Sequence, residues 1–94
     1  MEKHSDFNSL YKAILSIDSK ELCESFFEDI CTIKELETMA QRLEVAKLLL
    51  GGATFNEVVA KTGASTTTIS RVNRCLNYGG GGYKKVIENL KQEG

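Results

Sequence analysis

Between Ser65 and Arg74 the chain sets five hydroxyl side chains, Ser65, Thr66, Thr67, Thr68 and Ser70, against two guanidinium groups, Arg71 and Arg74. Short hydroxyls can donate to or accept from base edges and phosphates, and the threonine methyl can pack on a thymine methyl. They have no long stem, so they serve where two backbones come close. Arginines clamp phosphates or read guanine through two parallel hydrogen bonds. Lys61 upstream and the pair Lys84, Lys85 downstream suit phosphates as well. The chemistry implied is docking on nucleic acid through Lys61, Ser65, Thr66, Thr67, Ser70, Arg71, Arg74 and Lys84.

Bond-making chemistry has no such support. His4 is the one histidine, near the start of the chain, and reads as a solvated end residue. The acidic pairs Glu28-Asp29 and Glu35, Glu37 fall where helix caps or surface charges explain them. No nucleophile–base arrangement can be assembled from the spacing. Cys23, Cys31 and Cys75 form no CxxC pair and, with a single histidine, no metal set; they read as small apolar fillers. The run Gly79–Gly82 comes without a strand or a GK[ST] signature, so it reads as a flexible connector rather than a phosphate loop. An enzyme, a metal site and a resident cofactor are therefore not expected.

The docking residues need elements to hold them, and helical spacing supplies these. Phe7, Leu10, Tyr11 and Ile14 recur at i, i+3, i+4, i+7; Leu22, Phe26 and Ile30 step by four; Leu36, Met39, Ala40, Leu43 and Ala46 or Lys47 continue the pattern toward Leu50. Asp18-x-x-Glu21, Thr32-x-x-Glu35 and Thr54-x-x-Glu57 each fit a capping box ahead of an apolar stretch. Gly51-Gly52, Gly63 and Gly79–Gly82 supply stops. The reading is an all-α chain of about six helices, near 6–17, 20–30, 33–50, 55–62, 66–77 and 83–91.

The segment from Phe55 to Asn77 fits a helix-turn-helix. Gly63 suits the turn, since a left-handed backbone is cheap only without a Cβ. Val58, Ile69 and Val72 are spaced to fill the angle between the two helices, Ala64 allows their close approach, and Ser65 can cap the second helix. Thr66, Thr67, Ser70, Arg71 and Arg74 then face outward, where this motif meets the major groove.

Charge agrees with that placement. Residues 1–50 carry ten acidic and six basic side chains, and residues 51–94 three acidic and six basic, so a half of net −4 precedes a half of net +3. A polyanion would approach the second half. The first half is instead rich in apolar surface, and Leu48, Leu49 and Leu50 make its long helix apolar on most sides. In 94 residues a second copy of the chain is the simplest cover for it. No apolar run approaches the ~18 residues of a membrane span. The opening MEKHSDFNSL has no apolar signal segment, and three unpaired cysteines read as reduced thiols, so the expectation is a cytoplasmic protein.

The stretch LEVAKLLLGGATFNEVVAKTGASTTTISRVNRCLNYG resembles the Trp repressor superfamily, in particular its YerC/YecD-like branch. The most specific part is GAS-x-x-TISR-x-x-x-x-L from Gly63 to Leu76, preceded by Gln41-Arg42-Leu43, and the resemblance spans about Phe7 to Leu90. It implies a single domain over 1–94: residues 6–50 interlocking with those of a second chain, 55–77 the helix-turn-helix head, and 83–91 a C-terminal helix. It implies a homodimeric repressor whose two heads sit about one DNA turn apart, ~34–36 Å, on a pseudo-palindromic site.

The family's tryptophan-binding member holds the indole between two arginines. Arg42 and Arg71 match them, and Thr32 matches a threonine lining the same pocket. Val72 stands where that member has glycine, and Cys75 where it has a serine that meets the ligand's ammonium group. A branched side chain intrudes on an indole, and a thiol is a weak hydrogen-bond partner. L-Tryptophan is therefore not the expected effector; a different small molecule, or none, stays open. The alternative to DNA binding is a regulatory subunit with the same fold that contacts protein only, which the pI of 5.8 allows.

Overall fold

The computed structural model describes residues 6–93, which form six helices joined by turns, with no strand among them. They are α1 (Phe7–Leu15), α2 (Lys20–Ile30), α3 (Ile33–Leu50), α4 (Phe55–Thr62), α5 (Thr66–Tyr78) and α6 (Gly82–Glu93). His4 lies outside the described residues. The chain divides into two compact units, one ending at Leu36 and the other beginning at Glu37.

In the N-terminal unit α2 and α3 begin on side-chain caps and α1 and α2 end on local backbone hydrogen bonds, while Asp6 at the head of α1 makes no side-chain cap. The α1 end tightens as the Ser16 N–H donates to the carbonyls of Lys12 and Ala13 and its hydroxyl to Ala13 at 2.7 Å. The cap of α2 is Ser19, whose hydroxyl accepts from the Leu22 N–H at 3.1 Å. The Asp18–Glu21 box expected from the sequence does not form: Ser19, in extended backbone (ψ 156), is the cap, and with Leu22 at the third helical position only the one cap bond is made. On α2, Lys20 pairs with Glu24 one turn on, and that carboxylate, by hydrogen bond and by charge, raises the lysine's pKa above its ordinary value. Thr32 and Glu35 form the expected reciprocal box at the head of α3, at 3.1 and 2.8 Å. No side chain of α1 or α2 is buried.

The C-terminal unit holds the core. Val45 and Ala46 of α3, Val58 of α4, Ala64 of the turn, Ile69 and Val72 of α5, and Ile87 of α6 are buried together, with Leu43, Leu48, Leu49, Leu50, Leu76 and Tyr83 packed around them. Sequence spacing places Ala46 here but passes over Val45 in favour of Met39 and Ala40, which are exposed. The buried face of α3 is set by what packs on it, and that is the helix-turn-helix.

Helix α3 stops in a Schellman arrangement: Ala53 N–H to Leu48 carbonyl, Gly52 N–H to Leu49 carbonyl. Helix α4 opens on the Thr54–Glu57 capping box and ends at Gly63, φ +70. An added Cβ at Gly63 meets nothing within 4 Å, so its substitution tests backbone strain alone. Gly63→Ala should cost about 1–2 kcal/mol of stability, read by urea unfolding; no cost would show that the turn does not need the left-handed residue.

The glycine run proves more specific than a loose connector. The Gly79 N–H closes α5 on the Cys75 carbonyl at 2.9 Å, and a Cβ at Gly79 would stand 2.5 Å from that oxygen. Gly80 and Gly82, by contrast, face open space.

Candidate nucleic-acid interface

Helix α5 is two-sided in a way its sequence dictates. Ile69 and Val72, with Leu76 a turn later, fall on the core side; Ile69 is fully buried. Thr66, Thr67, Ser70, Arg71 and Arg74 are all exposed, as spacing predicts. Lys61, in the last turn of α4, and Lys84, in the first turn of α6, are exposed too. Helix α4 packs on α5 and α5 on α6, so the three elements present these groups from one compact unit.

Ser65 differs from its neighbours. Its hydroxyl accepts from the Thr68 N–H and donates to the Thr68 Oγ1, both at 3.1 Å. It caps α5, which leaves its hydroxyl proton committed within the protein. Thr68 is half-buried and is the partner in that pair. The free hydroxyls of this face are therefore those of Thr66, Thr67 and Ser70, for which the described residues show no intramolecular hydrogen bond.

The side chain that sequence reasoning missed is Tyr78. It is 85% exposed at the end of α5 and continues the line of Thr67, Arg71 and Arg74 at i+11, i+7 and i+4. That spacing was available as a signal, since a phenol next to a glycine run has no core to enter.

The residues matched to an effector pocket are distributed differently. Arg42 is half-buried on α3, while Arg71 and Cys75 are exposed one turn apart on α5; all three belong to the C-terminal unit. Thr32 belongs to the N-terminal unit, where its hydroxyl accepts from Glu35 in the capping box. Val72, at the position the resemblance gives to glycine, is 1% exposed and part of the core. The room a glycine would leave there is filled.

Comparison with known proteins gives one consistent result. The family model described as Trp repressor protein matches residues 5–91. The uncharacterized protein YerC of Bacillus subtilis (strain 168) is 47% identical over 87 residues, covering 93% of this chain and 84% of that protein. The crystal structure of a TrpR-like protein from Eubacterium eligens ATCC 27750 superposes with a TM-score of 0.88 at 49% identity, covering 93% of this chain and 90% of that one. A candidate Trp repressor from Staphylococcus aureus, also a crystal structure, gives 0.89 at 38% identity, covering 93% and 87%.

Proposed function

This chain belongs to the Trp repressor family, and from that premise we propose that it is a sequence-specific DNA-binding regulator of transcription in the cytoplasm, a homodimer that represses by occupying a pseudo-palindromic operator. The observation that carries the reading is the outward row on α5: three uncommitted hydroxyls and two arginines, all exposed, on a helix whose other side is anchored in the core. Threonine and serine at the start of the helix enter the major groove and meet base edges. Arg71 and Arg74 hold the backbone beside them, and Lys61 and Lys84 add phosphate contacts from the flanking helices. Lys84 and Lys85 stand in the first turn of α6, with no acidic residue there. Cations weaken a helix at that end, and an adjacent phosphate offsets this.

The dimer rests on the N-terminal unit. Leu10, Tyr11, Leu15, Leu22 and Ile30 are exposed, Leu15 to 82%. An open groove of about 360 Å³ lined by Lys20, Cys23, Glu24, Phe27, Glu28 and Leu36 lies in the same unit. Apolar surface on this scale, on a chain this short, is covered by a second copy.

The test is selection of genomic DNA fragments by the purified chain, followed by binding assays at several salt concentrations, with sedimentation to give the oligomeric state. Thr67→Ala should relax base preference at one position of each half-site, a loss of about 1–3 kcal/mol in discrimination, while Lys84→Ala weakens all sequences alike. If both variants bind selected and random duplexes as the wild type does, this face is not the reader. No affinity for any duplex at low salt would support the protein-contacting subunit instead.

A further inference from the structure

Inside the C-terminal unit a single side-chain hydrogen bond ties α3 to the helix-turn-helix: Gln41 Nε2 donates to the Thr62 carbonyl at 3.3 Å. Every other side-chain hydrogen bond among the described residues joins positions no more than four apart. Thr62 is the last residue of α4, so its carbonyl is one of the acceptors a helix end leaves without an intrahelical partner. The same residue closes the turn. Its hydroxyl donates to the Val58 carbonyl at 2.7 Å and accepts from the Ala64 N–H at 3.1 Å. Attachment to α3 and closure of the turn therefore meet at Thr62, three residues before α5 is capped by Ser65.

Gln41 lies one helical turn before Val45, on the face of α3 that enters the core. The remaining link between α3 and the helix-turn-helix is apolar, Val45 and Ala46 sharing a core with Val58, Ala64, Ile69 and Val72. Apolar burial resists separation but has no direction. An amide-to-carbonyl bond has both a length and an angle to satisfy. From this placement we infer that Gln41 is a positioning residue for DNA recognition: it fixes where the turn sits on α3, and so the orientation in which Thr66, Thr67 and Ser70 are presented. The inference rests on the DNA-binding reading and adds that discrimination between sequences, rather than affinity for DNA as such, depends on this bond.

The experiment uses the full chain, the tightest DNA fragment from the selection above and a random-sequence duplex of equal length. Gln41→Leu keeps the bulk and removes the donor; Gln41→Lys keeps a donor that reaches the carbonyl. In Gln41→Leu the ratio of affinities for selected over random duplex should fall about five- to tenfold, the equivalent of one net hydrogen bond. Binding to the random duplex should stay close to wild type, and the thermal midpoint should fall by no more than the few degrees that one net hydrogen bond is worth. Gln41→Lys should retain most of the ratio. Hydrogen exchange at the Ala64, Thr68 and Ile69 amides should quicken in Gln41→Leu and not in Gln41→Lys. An unchanged ratio overturns the inference. So does a loss shared equally by both duplexes and tracking a lowered thermal midpoint, because that is a merely structural role. If the wild type binds neither duplex, the DNA reading fails separately and the exchange rates still decide: faster exchange confined to those amides upholds the hold of Gln41 on α5, and no change overturns it.

Discussion

Ile69→Ala should lower the unfolding free energy by about 2–5 kcal/mol, the usual cost of emptying a buried branched site. Ile69 is the largest of the fully buried side chains and the main anchor of α5. Among the described residues the core it belongs to has seven buried members, all in one unit, so little surrounds the site that can collapse into the cavity. Single domains carry about 5–15 kcal/mol in all, and one methyl-rich side chain thus accounts for a large share. Urea unfolding should show a lower midpoint with an unchanged slope, and DNA binding should fail on warming well before it does in the wild type. A cost below about 1 kcal/mol would mean that this core does not hold the helix. Thr67→Ala, on the opposite side of α5, should leave stability within about 0.5 kcal/mol.

The second large effect is electrostatic. Replacing Arg71 and Arg74 together by alanine takes the half from residue 51 onward from net +3 to +1, at two exposed positions that support nothing in the core. If both hold phosphates, the homodimer loses four contacts, and the slope of log affinity against log salt should become shallower by about 3.6, at roughly 0.9 per contact. If one of them reads guanine, the slope changes by about half that, and discrimination at one base pair of each half-site drops by about 1–3 kcal/mol. The unfolding midpoint should not move in either case. A double variant with wild-type affinity and wild-type salt slope would remove α5 from the interface, and the proposed regulator with it.

The six helices were legible because their ends are written in short-range chemistry. Thr32 with Glu35, Thr54 with Glu57, Ser65 with Thr68 and Gly63 at φ +70 each act within a few residues of where they stand. The same locality explains the one displaced cap. Asp18 and Ser19 both suit the position, and only the backbone angle at Ser19 selects between them. The outward face of α5 was legible for a related reason: in a helix with Ile69 and Val72 inward, Thr67, Ser70, Arg71 and Arg74 have nowhere else to point. Tyr78 was missed although it obeys the same period, because the glycines beside it drew the reading toward a connector.

Alone, the amino-acid order decided what depends on neighbours within about one helical turn: where each helix begins and stops, and which α5 groups face solvent. Packing decided the rest. Val45 is buried in place of Met39 because of what lies across from it, Gly79 is favoured because a Cβ there would meet the Cys75 carbonyl oxygen, and Gln41 finds its acceptor 21 positions away. Such pairings follow from the shape of a shared core, and no periodicity within one segment encodes them.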